Sequence, residues 1–329
     1  MTTTKRLSVT EFDFDEVKDN LKAFMRNQTE FKDYDFEGSG LSALLDVLAF
    51  NANMLANEMF LDSSQLRSSV VSHAKTLGYS TKSARSSKAV LNVYLNTTNT
   101  SATMPAGTVF TASVSDSSYQ FVTIQEVIAV NIGSVIPFNN LSVYEGSFVS
   151  TRYTTDTQNV EQRFLINDNR ADTTTLTVKV QNSSSDSTST TYTLATDIAA
   201  LTSTSNVYFL QEVEEGKFEI YFGDGILGNA VEDENIIILN YVVTNKGVAN
   251  GASTFVNSAA IDTVSSVNVS TVSSSAGGSE PETIQSIKYN APLDYASQGR
   301  CVTIEDYKTY VKQLFPNTQA VSVWGGENG

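Results

Sequence analysis

Apolar and polar positions along this chain change period twice, which predicts helices at both ends and strands between them. Phe14, Val17, Leu21 and Phe24 recur at helical spacing and define one face of a first helix. Asp13 followed by Glu16 predicts a cap at its start, because a carboxylate there accepts from unbonded backbone donors. Phe31–Gly38 breaks the pattern and reads as a loop. A second helix is predicted from Ser39 to Leu61, with Leu41, Leu44, Leu45, Leu48, Leu55, Met59 and Phe60 apolar and Ala49, Ala52 and Ala56 widening the stripe. So broad a stripe calls for neighbours on more than one side. Two readings stay open: a helix central to its own domain, or one shared between chains in a bundle. A third helix is expected after Asp62 as N-cap, with Leu66, Val70, Ala74 and Leu77 on one side and Gly78 as its left-handed stop.

Ser80–Lys88 is polar and basic and reads as a linker. From Ala89 the period is two: Ala89, Leu91, Val93 and Leu95 alternate with Val90, Asn92 and Tyr94. Short strands are predicted at Val109–Thr111, Tyr119–Thr123, Val127–Ile132, Arg163–Ile166, Leu176–Val180 and Ile236–Val243. Gln181–Thr191 is mostly Ser and Thr and reads as a loop or hairpin tip. Val207–Val213 and Phe218–Phe222, joined by Glu214–Lys217, form the clearest hairpin signal. Helical spacing returns with Glu280–Pro281 as a start, Ile284 and Ile287 inward, and Pro292 as a stop. Another helix starts at Thr303 and Asp306, points Ile304, Tyr307, Tyr310, Val311 and Leu314 inward, and closes at Pro316. Ala320–Trp324 reads as a strand, which implies a longer protein or a neighbour strand from a partner.

The expected fold class is therefore α+β. An N-terminal helical segment (1–80) precedes sandwich-like β modules (88–275), with an inserted module at 130–206. Short C-terminal helices open an α/β region (279–329).

Composition narrows the chemistry. The chain has 36 acidic against 21 basic residues, a net charge of −15, which argues against nucleic-acid binding and fits solubility or basic partner faces. One cysteine, Cys301, allows no intramolecular disulfide and suits a reducing cytoplasm. With one histidine, His73, a two-histidine metal motif is excluded. No stretch is apolar enough for a signal peptide or membrane span. His73 falls within a predicted helix, where packing or exposure is its reading, and Cys301 reads as a small packing residue. Gly223-Asp224-Gly225 is the most conspicuous polar motif, and one carboxylate is a poor calcium site, so it reads as a structural turn. Glu232, Asp233 and Glu234 read as a solvated acidic turn. Gly277-Gly278 and Gly325-Gly326 lack the spacing and lysine of a phosphate loop. No cofactor, metal or catalytic residue is expected.

Ordered motifs across most of the chain resemble one family. They are Gly40-Leu41, Leu44–Asn51, Asn57–Asp62, Leu66-Arg67, Val70-Val71, Ala74-Lys75 and Leu77–Tyr79 in the helical part. Tyr221–Gly225 with Gly228, Tyr241–Asn245 and Ala249–Ala252 follow. Gly277-Gly278 with Glu280, Asn290–Pro292, Arg300, Val302-Thr303 and Asp306-Tyr307 close the series. The chain resembles the J-like baseplate wedge proteins of contractile-tailed, T-even-type phages, and looks like their N-terminal half. The resemblance implies a structural virion protein of the tail baseplate, assembled in the host cytoplasm. It implies two copies joined to another wedge protein, six wedges in a ring around a hub, and relay of host attachment to sheath contraction. It makes Phe14, Val17, Leu21, Phe24, Leu41, Leu44, Leu45, Leu48, Leu55 and Phe60 the candidate partner interface. Two other classes remain as alternatives: a tail-tip adhesin or glycan-binding β module, and a glycan-cleaving enzyme using Asp224 or Glu232.

Overall fold

The computed structural model describes residues 13–26, 40–159, 162–196, 198–257, 259–298, 300–314, 318 and 320–324. The expected loop at Phe31–Gly38, Pro316 and Gly325-Gly326 lie outside the described residues. The fold is α+β, with helices at both ends and sheets in the middle. It divides into two compact units: Met1–Tyr79 with Ile284–Thr309, and Ser80–Thr283 with Tyr310–Gly329.

In the helical unit, α1 (Phe14–Arg26) packs along α2 (Gly40–Glu58). Asp13 Oδ1 accepts from the Phe14 N–H at 2.8 Å, as its position before the helix predicts. Lys18 Nζ meets Asp46 Oδ1 across the two helices at 2.5 Å. α3 (Arg67–Thr76) ends in a Schellman turn at Gly78, whose φ is +81°. There the Gly78 N–H donates to the Lys75 carbonyl and the Tyr79 N–H to that of Ala74. α4 (Ile284–Ser297) lays Ile287 and Ala291 against Val70, Val71 and Ala74 of α3, forming a small buried core.

Three expectations fail here for physical reasons. Asp62 is not the cap of α3, which starts five residues later at Arg67 without a side-chain cap; Glu58 of α2 instead accepts the N–H groups just before it. Pro292 does not end α4: the helix runs through it to Ser297, because burial of Ile287, Ala291 and Ser297 offsets the roughly 3 kcal/mol that an interior proline costs. Nor does Glu280–Pro281 open that helix, which begins at Ile284. Packing on α3 also makes α4 part of the helical unit, not of a separate C-terminal region.

α5 (Ile304–Leu314) opens on a reciprocal capping box. The Asp306 N–H donates to Thr303 Oγ1 (3.2 Å) and the Thr303 N–H to Asp306 Oδ2 (2.8 Å). The Thr303 N–H first, then the Val302 N–H, the Thr303 hydroxyl and the Arg300 charge, hold the Asp306 carboxyl below its ordinary value. Ile304, Tyr307 and Tyr310 are exposed, not inward, within this chain. Residues 320–324 form no strand.

The β unit holds two modules. Strand β1 (Lys88–Asn96) buries Ala89, Leu91, Val93 and Leu95 on one face, as the period-two pattern predicts. With β2 (Ser101–Met104), β3 (Val109–Val114), β4 (Ser117–Val122), β5 (Val127–Val130) and β6 (Val135–Glu145) it builds most of the first module. The chain then enters a second sheet through β7 (Ser147–Thr154), β8 (Phe164–Ile166), β9 (Ala171–Gln181), β10 (Ser189–Leu194), β11 (Val207–Glu212), β12 (Phe218–Phe222) and β13 (Ile236–Val243). It returns with β14 (Phe255–Val256) and β15 (Val267–Ala276).

The first sheet has the order β14-β3-β4-β6-β1-β15, beside a small β2-β5 ribbon. Gly251 N–H to Ser275 O and Ser275 N–H to Ala252 O bring the two ends of this sheet together. Phe110, Phe121 and Phe138 fill its interior. The second sheet runs β7-β13-β9-β10-β11-β12-β8, with only β10 and β11 parallel among its pairs. Its core holds Phe164, Val178, Ile220, Ile237 and Leu239. The second sheet spans 147–243, beginning and ending later than the expected insertion at 130–206.

Ser80–Lys88 is not a linker. Ser83, Ala84, Ser86 and Ser87 are buried: the Ser83 hydroxyl pairs with Thr173, the Ser86 N–H with Asp172 and the Ser87 hydroxyl with Asn250.

Candidate partner-binding surface

α2 is 19 residues long, has no glycine or proline after its first position, and is rich in Leu, Ala and Met, which favour helix. Among the described residues only one line of it is fully buried. Leu45, Ala49 and Ala56 are buried, while the sides of the helix stay open. Leu44 is 60% exposed, Leu48 54%, Leu55 70% and, on α1, Phe24 63%. Phe60 is exposed just beyond the helix end. A helix apolar on nearly all sides is stable in water only when other surfaces cover it.

Of the sequence-predicted interface residues, Leu44, Leu48, Leu55, Phe24 and Phe60 lie on this open surface. Phe14, Val17, Leu21 and Leu41 are half-buried. Leu45 is 3% exposed and belongs to the unit's own core, so it is not available to a partner. Val47, Phe50, Met54 and Met59 are exposed too and extend the apolar surface. Met59 lay on the predicted stripe, and the signal for Val47, Phe50 and Met54 was apolar residues off that stripe on a helix with almost no charge to turn toward water.

The end of α2 is pinned. Glu58 Oε1 accepts the Gln65 N–H at 2.7 Å and the Leu66 N–H at 3.2 Å, satisfying donors just before α3. Burial pushes the Glu58 carboxyl up, but the Gln65 N–H, the Ser69 hydroxyl, the Leu66 N–H and the Lys288 charge outweigh it and hold it below its ordinary value. The Glu58 carbonyl accepts from Ser64 Oγ (3.1 Å) and from His73 Nε2 (2.9 Å). His73 therefore serves the α2–α3 joint.

The Gly223–Gly225 motif folds as a tight turn. Asp224 Oδ1 accepts the Ile226 and Leu227 N–H groups at 2.9 and 3.0 Å, with the Leu227 bond chiefly holding its carboxyl below the ordinary value. Gly225 has φ +83°, and a methyl group on Gly223 would sit 2.3 Å from the Leu227 carbonyl oxygen. Asp233 likewise caps backbone, accepting from the Thr157 N–H. Cys301 is a free, half-buried thiol. Among the described residues no group of three or more His, Cys, Asp or Glu could hold a metal ion. No helix among them is long and apolar enough to cross a membrane.

Comparison with known proteins places these units. Residues 13–79, which contain α1 to α3, match the family model for the baseplate wedge protein gp6-like helical domain. Residues 150–256, nearly all of the second sheet, match that for the third domain of the bacteriophage baseplate wedge protein gp6. The chain is 31% identical over 339 residues to the baseplate wedge protein gp6 of Enterobacteria phage T4, covering 92% of this chain. It belongs to the gp6-like baseplate wedge proteins. As a member of that family it spans about half (50%) of the T4 protein's length. Among solved structures, the cryo-EM baseplate of the anti-feeding prophage, 6-fold symmetrised, aligns over 92% of this chain and 56% of that chain at 10% identity. Its TM-score of 0.29 is too low to add to the description of the fold.

Proposed function

We propose that this wedge-family chain is a structural, non-catalytic subunit of a contractile-tail baseplate, and that the open apolar surface of α2 is where it joins helices of other wedge proteins. The observation that carries the reading is that surface: Leu44, Leu48 and Leu55 stand in solvent on a helix too apolar to be a finished exterior. Large apolar side chains gain about 1.5–3 kcal/mol each when fully buried, so covering this face drives assembly. The partners are other wedge proteins and a second copy of the chain, arranged six-fold around a hub. The β modules form the ring's body, and the assembly passes host attachment on to sheath contraction.

Co-expression with the remaining tail proteins of the source genome, followed by light scattering on the purified material, tests this. The wild-type chain is expected in a hetero-complex. Leu44→Asp combined with Leu48→Asp is expected to run alone while keeping its helical circular dichroism. Complexes of unchanged mass in that variant would end the α2 reading.

A further inference from the structure

The two β modules meet at a cluster of buried polar groups centred on Glu145, the last residue of β6. Glu145 is 0% exposed. Its carboxylate accepts from Thr244 Oγ1 (2.7 Å), the Asn245 N–H (3.0 Å) and Asn245 Nδ2 (2.8 Å). Thr244 and Asn245 directly follow β13, the strand by which the chain leaves the second sheet. The outgoing and returning crossings are thus bonded to each other through one carboxylate. A buried carboxylate is costly unless its acceptor sites are filled, and this one is filled from the other module.

The backbone at the crossing is equally close. Gly146 has φ +125°, and a methyl group there would lie 2.2 Å from the Val243 carbonyl oxygen. No side chain fits without moving one strand away from the other.

The Ser80–Lys88 segment ties both modules a second time. The Glu145 N–H donates to the Ser87 carbonyl, and Ser87 Oγ donates to Asn250 Oδ1 (2.8 Å) on the side of the first module. The Ser86 N–H donates to Asp172 Oδ2 (2.8 Å), and Ser83 Oγ accepts the Thr173 N–H (3.0 Å), both on β9 of the second. Asp172 is itself buried, and its other oxygen takes the Thr174 N–H and hydroxyl.

We propose that this buried polar clasp, with Glu145 at its centre and the 83–88 segment as its strap, locks the two β modules into a single mechanical body that opens only as a whole. Two modules on a polar linker would hinge independently. Here each crossing is satisfied only while the modules stay docked, so loosening one contact leaves buried donors and acceptors without partners. Such a body transmits displacement from one module to the other without loss, whatever the chain assembles with.

Hydrogen–deuterium exchange with mass spectrometry on the full chain tests the clasp. In the wild type, core strands of the two modules (β1 and β6, β9 and β13) are expected to exchange through one common opening. Ile237→Val, deep in the second module with the clasp intact, is expected to speed exchange in both modules by the same factor. Glu145→Ala is expected to separate them, raising exchange in 147–243 by ~10–100-fold while β1 and β6 change little, the size set by the buried donors it strands. Thr244→Val supplies a milder separation if Glu145→Ala does not fold. Modules that already open at different rates in the wild type, or that accelerate together in the Glu145 and Thr244 variants, would overturn the proposal. The readout is on the isolated chain, so a failed wedge assembly and an open clasp give different results.

Discussion

The helical and β units use the same apolar residue types to opposite effect. In the β unit Leu91, Leu95, Ile220 and Ile237 have no solvent exposure, and each sheet closes over its own core. In the helical unit Leu44, Leu48 and Leu55 are more than half exposed on a helix with almost no polar face. A strand presents alternate residues to one side, and one packed layer covers them. A helix apolar all round calls for neighbours on several sides, and among the described residues α2 is fully buried along one line only. The contrast separates strands whose cores are covered by their own sheets from a helix whose apolar sides stay open, which supports the partner surface we propose for α2.

The largest effect that sharpens this contrast is inside the β unit. Phe110→Ala removes a fully buried ring and is expected to destabilise that unit by about 3–5 kcal/mol, seen as a lower denaturant midpoint. An unchanged midpoint would mean that the sheet does not depend on its own core.

A smaller effect belongs to the joint after α2. Glu58→Ala strips the donors ahead of α3 of their acceptor and is expected to cost about 1 kcal/mol, the scale of a lost helix cap. The joint also carries a pH dependence. The Glu58 carboxyl lies below its unfolded value of 4.5, so its contribution is present above that pH and is lost as pH falls through the lower folded value. Glu58→Gln should make the acid loss of helical circular dichroism shallower. An identical acid profile would assign the effect to other carboxyls.

The smallest effect is the most diagnostic. Leu48→Ser on the isolated chain is expected to change stability by no more than about 0.5 kcal/mol, because the side chain is already in water. A loss of several kcal/mol on thermal unfolding would show that α2 is covered from within the chain and break the comparison.

Much of the architecture was legible in the sequence, because period and capping act over a few residues. The strand β1, the hairpin of β11 and β12, the bounds of β13, the Gly78 stop and the Thr303–Asp306 cap all follow from local spacing. The apolar breadth of α2 was legible for the same reason. Which of its residues are open was not, since Leu44 and Leu45 are chemically alike and only tertiary packing separates them, one 60% exposed and the other 3%. No strand was predicted at β15, whose many serines leave little apolar alternation, and it is a strand by pairing with β1, Val269 opposite Val93. Pro292 read as a stop, yet packing on α3 carries the helix through it. The basic stretch Ser80–Lys88 read as a linker, and no local pattern announces the Glu145 N–H and the Asp172 carboxylate that bond to it from distant strands. The sequence by itself determined the periods, the turns and the excess of apolar surface, since these depend on neighbours along the chain. Only the tertiary structure decided which surfaces are covered and which buried charges are satisfied, because both depend on residues brought together from far apart.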